Sequence, residues 1–270
     1  MGVHRQDGDR RPRPKARLKF ACCRAILRWM RGPTARLLFV LLATAGCGTG
    51  LGGVPRYYRA RTLIKDGHFA EATDELVALW QDRTPAMVGV HASFLPMEME
   101  ELGRSYPPAR ERFAQLRDAA APVASDPDPA QLGDWMLLNG VLGESAKTLA
   151  WFDQATAERA DPRYAAVLEE RVIPLLTAAN RWSDAGKLYA DPLATLERDA
   201  RAIQADTLPG LVIAFFIGDD LRKLFRGQAA SLVRALRAAG REGEAQKVVD
   251  RARRLDPSPA MKQAMEGVAK

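Results

Sequence analysis

An all-α chain, folded as an irregular array of helical hairpins, is the fold class this 270-residue sequence predicts, and three observations carry it. From Pro55 onward apolar residues return at intervals of three and four, with almost no alternation of period two. Prolines follow acidic residues at Asp128-Pro129 and Asp161-Pro162, the pattern of a capped helix start. Three separate stretches repeat one spacing of turn and packing residues.

The first 29 residues form a basic, proline-containing extension. It reads either as a long cytoplasmic lead-in or as untranslated sequence, with Met30 as the true start. Residues 30–46 read as a leader: Arg31 and Arg36 supply its basic region, Leu37 to Ala45 its apolar core, and Thr44-Ala45-Gly46 sets small residues before Cys47. This resembles the lipobox of bacterial lipoproteins. The resemblance implies that Cys47 is acylated and becomes the first residue of a chain lipid-anchored on the periplasmic side of the cell membrane. Thr44 departs from it, because the family usually has leucine there. The alternative is an uncleaved anchor over the 20 residues from Ala35 to Val54, long enough to span a bilayer but weakened by five glycines. Residues 47–55, the acylated cysteine and a Gly-rich run, read as a flexible tether. Gly48, Gly50 and Gly53 satisfy GxGxxG, yet no strand precedes them as a dinucleotide site requires.

Charge and cysteine divide the chain at the same place. Residues 1–36 hold 11 Lys and Arg against Asp7 and Asp9, a net of +9; the other 29 cations face 31 acids, a net of −2. The basic character of the whole therefore belongs to the leader, and the body offers no case for nucleic-acid binding. Cys22, Cys23 and Cys47 are the only cysteines, so a chain beginning at Cys47 has neither a disulfide pair nor a thiolate cluster for zinc.

The body divides into an N-terminal helical region over residues 56–121, a Pro-rich linker over 122–129, and a C-terminal helical region over 130–270. Ala109, Phe113, Leu116 and Ala120 make one helical stripe. Ala165, Leu168, Val172, Leu175, Leu176 and Ala179 make a second, and Ala229, Leu232, Val233 and Leu236 a third.

The shared spacing is Leu, then Gly or Asn four residues on, an acid four further, and Ala next. It occurs as Leu63, Gly67, Glu71, Ala72; as Leu176, Asn180, Asp184, Ala185; and as Leu236, Gly240, Glu244, Ala245. Gly or Asn suits the left-handed residue that ends a helix, the acid suits the first turn of the next, and Ala lets the two helices approach. Four residues beyond each Ala stands Leu76, Tyr189 or Val249. A fourth pair around Asp134 to Ala160, with Trp135, Leu138, Gly143, Leu149 and Phe152, has a similar composition but a different spacing.

These stretches resemble the tetratricopeptide repeat, a helix-turn-helix unit of about 34 residues. The resemblance implies a right-handed array of helical hairpins whose first helices line a concave surface for a protein or peptide partner. Carried over by position, the partner-binding residues are Tyr57, Arg61 and Lys65 in the first copy and Arg234 and Arg237 in the last. The turns are not evenly spaced, so non-repeat helices must intervene and a regular solenoid is not expected.

Leu211 to Ile217 is the most apolar run of the body, too short to span a bilayer. It is expected as a buried helix against which the last repeat packs, with Leu221 and Leu224 continuing its face; a partner-binding or membrane-dipping patch is the alternative. Chemistry is sparse. His4, His68 and His91 lack a spaced second ligand, Ala185-Gly186-Lys187-Leu188 lacks the rest of a phosphate loop, and no catalytic motif is present. The carboxylates at Glu98, Glu100 and Glu101, at Glu169 and Glu170, and at Asp219 and Asp220 are expected as solvated surface. The sequence thus predicts a membrane-tethered interaction scaffold in the cell envelope, binding an envelope protein or peptide, with no cofactor, metal or enzymatic activity. Its alternatives are a signal-anchored structural protein and an envelope hydrolase using carboxylates distant in sequence.

Overall fold

The computed structural model describes residues 53–82, 90–122, 127–201 and 208–268. The leader, Cys47, the tether before Gly53 and residues 123–126 of the linker lie outside them. Among the described residues there are thirteen helices and no strand, so the all-α class holds. None of these helices is long and apolar enough to cross a membrane.

Helices α1 (Gly53–Lys65) and α2 (Phe69–Gln81) form the first hairpin. A π-helical turn, Val90–Phe94, leads into α3 (Leu95–Ser105), which pairs with α4 (Pro107–Ala119). The next hairpin is α5 (Pro129–Val141) with α6 (Ser145–Gln154), followed by the short α7 (Thr156–Ala160). Helix α8 covers 165–178 in three consecutive segments, Ala165–Val167, a π-helical turn Leu168–Val172, and Ile173–Ala178. It turns into α9 (Trp182–Leu188), and α10 (Pro192–Arg201) comes next. The long α11 (Leu208–Ala238) turns into α12 (Glu242–Leu255), and α13 (Pro259–Gly267) packs on both.

Starts follow from capping chemistry. The Asp128 carboxylate accepts from Gln131 N at 2.9 Å, with Pro129 as the first helical residue. Asp161 accepts from Arg163 N at 2.8 Å ahead of the 3₁₀ turn Pro162–Tyr164, which runs into α8. Asp191 and Ser258 do the same for α10 and α13, each before a proline. Such a side chain satisfies N–H groups that the first helical turn leaves unpaired.

Helix ends follow from the left-handed residues. Gly67, Asn180 and Gly240 have φ of 82°, 60° and 75°. At each, two backbone bonds close the helix: His68 N to Leu63 O at 2.9 Å and Gly67 N to Ile64 O at 3.2 Å in the first, with the same pairs around Asn180 and Gly240. This is the Schellman arrangement. Gly143 makes a fourth copy, with φ 72°, Glu144 N to Asn139 O at 2.7 Å and Gly143 N to Gly140 O at 3.0 Å. The spacing at Asp134 to Ala160 is therefore the shared one, read from Asn139 through Gly143 and Lys147 to Thr148. Ala72, Ala185, Ala245 and Thr148 are all wholly buried at the equivalent place.

The described residues pack as one unit with two hydrophobic cores among them. The first gathers Ala72, Leu76, Leu95, Met99, Leu102 and Phe113. The second gathers Phe152, Tyr164, Leu168, Leu176, Leu236 and Val248 among others. Helix α5 serves both, sending Leu138 and Val141 to the first and Leu132, Trp135 and Met136 to the second. The change of core thus falls within α5 and not at the linker. Tyr164 Oη anchors the end of that linker by donating to Pro127 O at 2.7 Å.

Two expectations need correction. The apolar run at 211–217 is not a separate helix but the first part of α11, continuous with the first helix of the last hairpin. Leu224 does not continue a buried face: it is 49% exposed, and Phe225 turns inward at 3%.

Candidate interaction surface and hairpin junctions

In α1, the buried stripe is Tyr57 and Ala60, with Leu63 and Ile64 partly covered. Tyr57 lies in the first core and donates from Oη to Glu98 Oε1 at 3.1 Å. Arg61 reaches the same oxygen at 3.0 Å and lies over the Tyr57 ring, 5.9 Å from its centroid. Burial pushes the Glu98 carboxyl above its ordinary range, against the opposing charge of Arg61 and the bond from Tyr57. Burial and the neighbouring Glu98 charge push the Tyr57 phenol up as well. Glu98 is therefore a packed, bonded group rather than solvated surface, because α3 turns it toward α1. Lys65 is exposed at the end of α1.

At the other end of the chain, Arg234 lies on the exposed side of α11 with its guanidinium over the Trp182 ring, 4.3 Å from the centroid. Arg237 donates to Glu242 at 3.0 Å and to the carbonyl oxygen of Val268 at 2.6 Å, fastening the chain beyond α13 to α11. The two sets of residues that the resemblance singles out do not meet. Helix α1 packs on α2 and α3 within the first core; α11 packs on α9, α10, α12 and α13 within the second.

The residue after each of the last three left-handed turns links its hairpin to the preceding helices. Glu144 accepts from Arg110 at 3.3 Å and from the buried Arg117, both of α4. Arg181 donates two bonds to Asp153 of α6, at 2.6 and 3.1 Å. Arg241 Nη1 donates to the carbonyl oxygens of Gly186 and Tyr189 at the end of α9, at 2.8 and 2.7 Å. Each also pairs with the residue three positions on: Lys147 at 2.8 Å, Asp184 at 2.9 Å and Glu244 at 2.5 Å. The Lys147 bond, with Arg117 and Arg110 charges behind it, holds Glu144 below the ordinary carboxylate range.

The contact between α9 and α11 is closer than side chains allow. A Cβ on Gly186 would lie 2.0 Å from the Ala235 carbonyl oxygen and 2.8 Å from Ala239 Cβ. The glycine inside the incomplete phosphate-loop motif thus serves helix approach.

One polar cluster was invisible in the sequence because its members come from different elements. Glu169, on the π-helical turn of α8, accepts from Thr195 Oγ1 at 2.8 Å and from Arg198, both on α10. Burial raises Asp199 on the same helix above its ordinary range, and burial with the Glu169 and Asp199 charges raises Tyr189. Glu170, by contrast, is exposed and paired with Arg171 at 3.0 Å. Asp219 and Asp220 have no described side-chain environment. His68 sits in the exposed turn and pairs with Glu71 at 3.3 Å, whereas His91 bonds Asp82 O through Nε2 at 2.7 Å beside Trp80. Among the described residues no group of three or more His, Cys, Asp or Glu could hold a metal ion. No protein family, curated protein or solved structure matches this chain.

Proposed function

We propose that this protein is an envelope lipoprotein, tethered through Cys47 on the periplasmic side, whose tetratricopeptide-like hairpins form a scaffold for another envelope protein or peptide. One observation carries the scaffold reading. Four hairpins are built around the same left-handed turn, and three of them fasten to the helices before them. Such an array is held by neighbour contacts and exposes long helical faces, which suits recognition of an extended partner. Near the last hairpin the exposed Arg234 stacks on the half-buried Trp182, and an acidic peptide or chain terminus matches that pair.

Two experiments test the two halves. Mass spectrometry of the mature N-terminus, alongside Cys47→Ser, should find a diacylglyceryl-cysteine at residue 47; an intact leader favours the signal-anchored alternative. A photocrosslinker placed at 234 should trap a discrete partner in living cells, while one at the exposed Lys262 should not. Equal trapping at both positions would sink the scaffold reading.

A second reading rests on the cluster of Glu169, Asp199 and Tyr189. Two carboxylates of unlike environment beside a tyrosine could serve acid and base steps of an envelope hydrolase. Turnover of wall or glycan substrates that disappears in Asp199→Asn would favour it over the scaffold.

A further inference from the structure

We infer that the outward face of α1, with Tyr58, Arg59 and the neighbouring Phe94, lies on the headgroups of an anionic lipid surface. This rests on the proposed attachment to a membrane just before the body. Three large apolar side chains are clearly exposed among the described residues: Tyr58, Phe94 and Leu224. The first two flank the same ring. Tyr58 meets Tyr57 edge-on with centroids 5.7 Å apart, and Phe94 lies 6.2 Å from it on the other element. Tyrosine and phenylalanine beside cations are what the boundary between headgroups and acyl chains accommodates.

Charge is arranged to match. Arg56, Arg59, Arg61 and Lys65 lie on α1, whose sequence contains no acid. Glu75 lies against Arg56 and Arg59, and Glu98 against Arg61, so two carboxylates offset two of the four cations. Both carboxylates are largely covered, at 16% and 13% exposure, while Arg59 is 65% exposed. The outward side of the helix is therefore cationic even though its inner side is paired.

Connectivity sets the distance. Helix α1 begins six residues after Cys47, and six extended residues span about 20 Å at most. Tyr58 follows five residues into the helix, roughly 8 Å further at the helical rise. An uncleaved anchor ending at Val54 would bring the patch still nearer. Either attachment holds this face within reach of the headgroups, whereas Trp182 packs against the second core and the exposed Arg234 over its ring stays available to a protein partner.

Hydrogen exchange read by mass spectrometry tests the inference. The full chain, purified from its host's membranes, is placed in vesicles of phosphatidylcholine alone or with phosphatidylglycerol, and membrane attachment is checked by flotation. Amides of 56–66 should exchange about fivefold more slowly on the anionic vesicles, the weight of one cation at such a surface. Arg59→Gln should remove most of that difference, and Tyr58→Ser with Phe94→Ser should remove protection on both vesicles, with unchanged circular dichroism. If the chain floats but α1 exchanges equally on both lipids and in detergent, the lipid face is overturned and the tether survives. A chain that does not float overturns both. Protection that requires an added envelope extract instead of anionic lipid assigns the patch to a protein and likewise overturns the inference.

Discussion

Replacing Gly186 with alanine sets two opposing effects against each other. Inside a helix the change should help, by about 1 kcal/mol of intrinsic propensity. Against that, the new Cβ would stand 2.0 Å from the Ala235 carbonyl oxygen and 2.6 Å from its carbon, where ordinary contacts begin at 3.4 Å. Backbone on both sides leaves no flexible side chain to swing away, so α9 and α11 must part by more than 1 Å. Overpacking of this kind costs about 1–3 kcal/mol. Separation also stretches the two bonds from Arg241 to α9, worth about 1–2 kcal/mol together where a charged donor is involved. The net is a loss of roughly 1–4 kcal/mol, or, at about 3 °C per kcal/mol for a body of this size, about 3–12 °C in Tm. Thermal unfolding by circular dichroism reads it directly. Gly227→Ala is the matched control: it changes a glycine of α11 with nothing within 4 Å, so it should raise Tm by about 2–4 °C. If Gly186→Ala melts at or above the parent, the close approach of α9 and α11 is refuted.

Three further outcomes follow from the junctions. Arg241→Met should lose about 2 kcal/mol, because the Gly186 and Tyr189 carbonyls lose their donor; denaturant titration with an unchanged slope would attribute it to stability alone. Glu144→Gln should cost about 1–2 kcal/mol at neutral pH, part of the carboxylate being solvent-screened. Its lowered pKa means the contribution is present above the ordinary value of 4.5 and lost as pH falls through the folded value, so the variant and parent curves should converge only in acid. Thr148→Ala should cost about 1–3 kcal/mol by stranding the buried Asn139 amide, which bonds it at 3.2 Å, whereas Asn139→Leu with Thr148→Ala should be neutral or stabilising; a double-mutant cycle with no coupling would contradict the pairing.

What the sequence revealed was backbone chemistry. Gly67, Asn180 and Gly240 could be read as helix ends because a left-handed residue has few alternatives, and Asp128 and Asp161 as starts because the acid–proline pair suits only a first turn. Gly143 escaped for an instructive reason: Asn139, Lys147 and Thr148 replace the leucine, acid and alanine of the other hairpins, hiding the same geometry under different chemistry. Tyr57 was legible as a helical residue but not as a buried one. Its partner Glu98 lies 41 positions away, and its own helix has charged neighbours. Gly186 and Arg241 depend on a contact made between α9 and α11, which local sequence cannot encode by itself.

The reversed charge at the Gly143 turn follows from what stands before it. At Gly67, Asn180 and Gly240 a basic residue follows the turn and an acid comes three later; at Gly143 the order is Glu144 and then Lys147. Helix α4 presents Arg110 and Arg117 to that place, while α6 presents Asp153 to Arg181 and α9 presents only carbonyl oxygens to Arg241. An arginine after Gly143 would meet the buried Arg117, and an acid after Gly240 would meet two carbonyls. Either mismatch leaves a covered charge or acceptor without a partner, costlier than the pair is worth. The sign of this one residue therefore ties each hairpin to the helices that precede it. Charge thus sets the Gly143 hairpin apart from those at Asn180 and Gly240, which share an arginine after the turn and differ in what it meets, a carboxylate in one and two carbonyl oxygens in the other.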